Sequence, residues 1–206
     1  EGLFDDYADR FETSLVEKLG YSVPKKLADM IRRVIGDDAR FANAIDIGCG
    51  TGLFGVEIAA SCDRLEGFDL SENMLAKAAD KTLYQLLRRA DLSLAPALSG
   101  LFEPEERHRA DLVAAADVMM YLGDLDAAFA NAVELMKPDG VFAFSVEKSS
   151  YAEGYQLLPS LRFAHSARHV EAALARHGLH VRAMEETMIR MDAGQPIIGL
   201  LFVAGV

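Results

Sequence analysis

The sequence predicts one α/β domain built on a mostly parallel sheet, with helices on both faces and an antiparallel hairpin at its carboxyl end. Three observations lead there. From residue 44 onward, short apolar runs alternate with segments of helical period, the pattern of strand–helix–strand units. A glycine cluster follows the first of those runs, where a parallel strand turns into its helix. The last two apolar runs have no helical segment between them, and parallel neighbours need a crossover of about a dozen residues, so that pair is antiparallel.

The elements follow in order. Phe11, Leu15, Val16 and Leu19 are spaced as one face of a short helix, which Gly20 stops. Ser22 and Pro24 open a second helix with Leu27, Met30, Ile31, Val34 and Ile35 on its apolar face, ended by Gly36-Asp37-Asp38. Residues 1–40 are thus expected to be helices covering a site built by residues 41–206. Strands are expected at 44–47, 64–70, 84–90, 110–118, 141–146, 179–183 and 197–203, giving a seven-stranded sheet. Helices are expected at 53–60, at 71–80 behind a Ser71 cap, at 124–136 behind Asp124, and at 166–178 behind Ser166. Lys137-Pro138-Asp139-Gly140 has turn composition, as do residues 191–196.

Composition narrows the function. The 206 residues are 51% hydrophobic and 26% charged, the balance of a globular chain rather than a disordered or disulfide-stapled one. The longest apolar stretch, near 197–206, falls short of the ~20 residues that span a bilayer. No basic segment followed by an apolar one opens the chain, so no signal peptide is expected. Two cysteines, Cys49 and Cys62, suit a reducing, cytoplasmic setting. A net charge of −11 repels phosphate backbones and anionic membranes, so neither nucleic acid nor membrane is expected as a partner. No C-x-x-C, H-E-x-x-H or G-x-S-x-G occurs, so no metal is expected and no serine hydrolase elbow. Glu103, Glu105, Glu106 and His108 read as a solvated loop.

Asp46-Ile47-Gly48-Cys49-Gly50-Thr51-Gly52 joins the first strand to its helix. Glycines let the backbone turn sharply and let a ligand approach the main chain, and ligands of open parallel sheets bind beyond the carboxyl ends of the strands. Asp69 ends the second strand, where a carboxylate can accept from both hydroxyls of a ribose. The site therefore reads as one for a nucleoside-bearing cofactor. Gly50 to Gly55 also fits G-x-G-x-x-G, the dinucleotide fingerprint, which keeps a nicotinamide-dependent reductase as an alternative. Against it, Asp46 is a carboxylate inside the strand. No Lys follows the glycines, which excludes a phosphate-cradling P-loop. Cys49 reads as a small residue in a tight turn.

The combination of Asp46 to Gly52 with Phe68-Asp69-Leu70-Ser71-Glu72-Asn73-Met74-Leu75 resembles the class I S-adenosylmethionine-dependent methyltransferases. Ala90-Asp91-Leu92, Asp111-Leu112-Val113 with Asp117, and Lys137-Pro138-Asp139-Gly140 are similar to later segments of that family. The likeness covers roughly residues 40–206. Phe4-Asp5-Asp6-Tyr7-Ala8 and Arg162-Phe163-Ala164-His165-Ser166 resemble a bacterial branch that often carries tetratricopeptide repeats upstream; this chain holds no such repeat. The resemblance implies a Rossmann-like sheet and S-adenosyl-L-methionine as cofactor, with S-adenosyl-L-homocysteine as product. It implies that Asp46 orients the methionine amino group while Gly48, Cys49, Gly50 and Gly52 shape the cradle. Asp69 would bind the ribose, Leu70 and Met74 would sandwich the adenine, and Asp91 and Leu92 would meet its edge. Asp117 would sit near the methionine end.

The acceptor is expected to be a small molecule or a protein side chain, and the sequence leaves the oligomeric state open. A non-catalytic scaffold that binds the cofactor is a further alternative. The acceptor side is expected from Tyr7, from Met119-Met120-Tyr121 and from the long connection at 148–165, whose length suits a binding loop. That connection holds Tyr151, Tyr155, Arg162 and His165. His165 is a candidate base, because neutral imidazole accepts a proton near pH 7; Tyr7 is a candidate to close over the site. Arg162 has two candidate partners, an acceptor carboxylate or Glu147.

Overall fold

The computed structural model describes residues 21–102 and 107–206. The helix expected at 11–19, the segment containing Tyr7, and Glu103, Glu105 and Glu106 lie outside the described residues.

The first described helix, α1 (Val23–Ile35), carries Pro24 in its first turn, where a missing N–H costs nothing, and buries Leu27, Met30 and Ile31. Strand β1 (Ala44–Ile47) runs through the glycine turn into α2 (Leu53–Ile58). Then come β2 (Leu65–Asp69), α3 (Glu72–Asp80) and β3 (Leu86–Arg89). The cap expected at Ser71 is present, its hydroxyl accepting from the Met74 N–H at 3.3 Å. The chain returns through β4 (Ala110–Ala115), α4 (Asp126–Leu135) and β5 (Met136–Lys148). After β6 (Tyr155–Leu157) and β7 (Phe163–His165), α5 (Ala167–Arg176) opens on the expected Ser166 cap. Strands β8 (His180–Asp192) and β9 (Gln195–Gly205) close the chain as the expected antiparallel hairpin. Its two-residue loop, Ala193-Gly194, has both φ angles positive, at 47° and 79°, the geometry that matches strand twist in a tight hairpin.

The sheet runs β3-β2-β1-β4-β5 in parallel, with β9 and then β8 antiparallel on the far edge of β5. Alternation along each strand sends side chains to two cores. On β5, Phe142, Phe144 and Val146 face a core shared with α4 and α5, while Val141 and Ala143 face one shared with α1 and α2. The first core centres on Phe129, whose ring meets Phe142 edge-on at 5.5 Å and Phe144 at 5.1 Å.

Two departures from expectation have clear causes. The sheet holds nine strands rather than seven, because the connection at 148–165 contains the β6–β7 hairpin. That hairpin pairs Tyr155 with His165 and Leu157 with Phe163. Strand β7 joins β5 in parallel at Glu147 and Lys148, on the edge that β4 leaves after Ala115 pairs Phe144. The hairpin therefore stands over the carboxyl end of β4. Second, Lys137-Pro138-Asp139-Gly140 is a bulge inside β5 rather than a turn before it: Ala110 pairs Met136, yet Leu112 pairs Val141. Lys137 Nζ pins the bulge to Asp111 at 2.7 Å.

Phe129→Ala should lower the unfolding free energy by about 3–5 kcal/mol, the range for emptying a buried aromatic site. Urea denaturation should show an earlier midpoint with little change of slope. A loss below ~1 kcal/mol would mean that the aromatic cluster is not the centre of this core.

Candidate functional site

The chain moves outward from β1 to β3 and returns to β4 on the other side of β1, so β1 and β4 diverge at their carboxyl ends. This reversal opens a crevice of the kind that binds ligands in open α/β sheets. A cavity lies there, lined by the β1 turn, the ends of β2 and β3, the segment after β4, and Arg162 and Arg190.

The turn's shape is enforced by sterics. Gly48, Gly50 and Gly52 have φ of 73°, 52° and 89°, a region open to glycine at no cost. A Cβ on Gly48 would stand 2.4 Å from the Val118 side chain, whereas one on Gly50 would meet no protein atom within 4 Å. The Gly48 and Cys49 N–H groups donate to the Phe68 carbonyl at 2.7 and 2.9 Å. Asp69 accepts from the Gly50 N–H at 2.8 Å with one carboxylate oxygen and from the Ser71 N–H at 2.9 Å with the other.

Two further carboxyls stand here, Asp46 buried and Asp117 half-buried. Asp46 Oδ2 accepts from the Tyr84 hydroxyl at 2.7 Å, while its Oδ1 is buried with no hydrogen-bond partner. Burial pushes the Asp46 carboxyl up to about 7, against the Tyr84 hydrogen bond and with the help of nearby Asp69. Asp117 has φ of 61°, a left-handed conformation that Asp tolerates better than most residues. Its N–H donates to Ser145 Oγ at 2.8 Å, and its Oδ1 is buried with no hydrogen-bond partner. Burial raises it to about 6, opposed by the charges of Arg190 and Arg162. The same burial, reinforced by Asp46 and Asp69, holds the Cys49 thiol well above its ordinary value, so Cys49 is no ready nucleophile.

Of the residues singled out in the sequence, Asp46, Gly48, Cys49, Gly50, Asp69, Leu70, Met74, Asp91, Leu92 and Asp117 all line this one cavity, as do Tyr121 and Arg162. Gly52 stands just behind them as the N-cap of α2. Asp91 also folds its own loop, with Oδ1 accepting from the Ser93 N–H and hydroxyl at 2.9 and 2.6 Å.

Three of the described acceptor-side candidates do not join the cavity lining. His165 is fully buried, its Nε2 lying 3.2 Å from the Gly123 carbonyl, and burial pushes its pKa down to about 4. A base role for His165 finds no support in this placement. Tyr155 packs within its own hairpin, edge-on to Phe163 at 5.8 Å and beside His165 and His169. Tyr151 is exposed outside the lining.

Met120, from the segment expected on the acceptor side, also lines the cavity from the 3-10 turn Met119–Tyr121. Other lining residues escape sequence reading: Tyr21 just before α1, Phe54 on α2 and Arg190 on β8. Arg190 is buried and donates to Glu147 Oε2 at 2.6 Å. The open question of Glu147's partner thus closes in favour of Arg190, not Arg162. Arg190 lies beyond the strand expected at 179–183, and no local pattern in the sequence marks it.

Comparison with known proteins places this geometry. The chain matches a methyltransferase-domain family over residues 45–142, from β1 into β5. It is 29% identical over 200 residues to a malonyl-[acyl-carrier protein] O-methyltransferase of Geobacter sulfurreducens, covering 85% of this chain and 70% of the relative. It is 31% identical over 106 residues to nodulation protein S of Rhizobium tropici, covering 50% of this chain and only 42% of that relative. In fold it is similar to an S-adenosylmethionine-dependent methyltransferase from Clostridium acetobutylicum, at a TM-score of 0.68 and 16% identity, over 99% of both chains. Family match, relatives and fold agree: residues 45–142 carry a methyltransferase domain, set on the fold of S-adenosylmethionine-dependent methyltransferases.

Proposed function

We propose that this chain transfers a methyl group from S-adenosylmethionine to a small-molecule or protein-borne acceptor by in-line displacement. The observation that carries the reading is the convergence of Asp46, the Gly48–Gly50 backbone, Asp69, Met74 and Asp91 on one cavity at the carboxyl ends of the strands. The residues present fit this cofactor. The space a Cβ would take at Gly50 is open, and the buried Oδ1 atoms of Asp46 and Asp117 lack hydrogen-bond partners. Buried acceptors of that kind call for a donor, and an ammonium group supplies one. Asp46 would hold the amino group, Asp69 the ribose hydroxyls, Leu70 and Met74 the adenine faces, and Asp91 with Leu92 the adenine edge.

Bound there, the cofactor supplies an electrophilic methyl carbon on a cationic sulfur, which departs as a neutral thioether. The protein's share is alignment and exclusion of water. Asp46, Asp69 and Asp117 also set a negative field suited to a cationic guest. Tyr121 and Arg162 are the expected acceptor-side residues that line the cavity. The Geobacter relative is named for O-methylation on malonyl-[acyl-carrier protein], an example of an acceptor presented by a protein.

Calorimetric titration should find binding of S-adenosylmethionine and S-adenosylhomocysteine but not of reduced nicotinamides. Asp69→Ala should weaken it by about 1–3 kcal/mol, the scale of an unmade buried hydrogen bond. Heat from a nicotinamide alone would move the glycine turn into the dinucleotide class.

The raised Asp46 carboxyl gives a pH dependence of definite sign. Ionised Asp46 attracts an ammonium and protonated Asp46 does not, so affinity for S-adenosylhomocysteine should rise with pH and level off above about 7. The limiting slope is about tenfold per pH unit below that value. Asp46→Asn should flatten the profile. The effect on stability has the opposite sign. A carboxyl whose pKa is higher folded than unfolded stabilises the fold below its unfolded value, and that contribution is lost as pH rises toward about 7. An affinity independent of pH between 5 and 8 in the unaltered protein would count against the role given to Asp46.

A further inference from the structure

Two guanidinium groups, Arg162 and Arg190, line the cavity near Asp117. Their situations differ. Arg190 is 3% exposed and bound to Glu147, itself 4% exposed, at 2.6 Å. That charge is neutralised where it stands, and the pair is part of the wall. Arg162 is only half-buried and lines the cavity together with Tyr121, and no carboxylate among the described residues lies within ion-pair distance of it. The acid that might have served, Glu147, is taken. Asp117 is close enough for its charge to be felt, but it does not lie within ion-pair distance.

An arginine with no acid partner among the described residues, partly withdrawn from water, is unusual in a chain of net charge −11. The guanidinium does not deprotonate, and its planar fork matches a carboxylate bidentately. A carboxylate entering with the acceptor would offset the Arg162 charge in a cavity that also receives a cationic sulfur centre.

We propose that the methyl acceptor carries a carboxylate, and that Arg162, with the Tyr121 hydroxyl beside it, is the residue that binds it and sets acceptor specificity. The proposal rests on the methyl-transfer reading of the same cavity. It assigns Arg162 to recognition and leaves open which acceptor atom receives the methyl group.

The test is calorimetric titration of the protein saturated with S-adenosylhomocysteine. The probes are short straight-chain and aromatic carboxylic acids and the corresponding primary amides. The acids should bind at least about tenfold tighter than the amides, the scale of a charge-assisted hydrogen bond. Arg162→Gln should erase that preference while affinity for S-adenosylhomocysteine stays within about twofold, which also reports that the variant is folded. Arg162→Lys, which keeps the charge without the fork, should retain part of the preference. Equal binding of acids and amides, no binding of any acid, or a preference that survives Arg162→Gln would each overturn the proposal. The acid-against-amide comparison in the unaltered protein stands even if the variants misfold. Failure of S-adenosylhomocysteine itself to bind would instead overturn the methyl-transfer reading.

Discussion

The Asp69 carboxylate is the tie on which the site's shape depends. One oxygen takes the Gly50 N–H from the turn after β1, and the other takes the Ser71 N–H at the head of α3. Next to it, the Phe68 carbonyl takes the N–H groups of Gly48 and Cys49. Two separate βα turns are thereby fixed to one another through a single residue pair at the end of β2. The left-handed glycine conformations would have no reason to persist without these acceptors. The same carboxylate raises the proton affinity of Asp46 across the crevice, so the anchor of the turn also sets the electrostatics of its neighbour.

Much of this frame is legible in the sequence because it is local. The glycines, Asp69, the Ser71 and Ser166 caps and the antiparallel final hairpin each follow from a few adjacent residues. What escapes is long-range. Tyr84 bonding Asp46 joins residues 38 apart in the chain, and Arg190 bonding Glu147 joins residues 43 apart; no periodicity encodes either. Strands β6 and β7 are three residues each, too short for alternation to be read. The Lys137–Gly140 segment has the composition of a turn, but pairing on both sides of it with β4 keeps it inside β5 as a bulge. His165 reads as a base from its place in a long connection; tertiary packing sets its Nε2 3.2 Å from the Gly123 carbonyl, and burial lowers its pKa to about 4.

The two halves of the cavity are built by different physics. The cofactor half is backbone geometry and buried carboxyls, held by parallel strands in a fixed register. The half reached by Tyr121, Arg162 and Arg190 is assembled from side chains delivered by a 3-10 turn, a hairpin loop and an outer strand. Its charges are sorted by which acid each arginine reaches. Glu147, exiting the sheet between β7 and β9, decides that sorting: it pairs with Arg190 and leaves Arg162 to the cavity.

The β6–β7 hairpin touches the main sheet through only two residue pairs, Glu147 with Ala164 and Lys148 with His165. It uses an edge that β4 has already relinquished, so no strand of the frame must be displaced to accommodate it. Changes in its exposed loop, between β6 and β7, can therefore be absorbed without reorganising the glycine turn or the strand order. Descendants of such a scaffold can diverge in what they methylate while inheriting one unaltered means of holding the methyl donor.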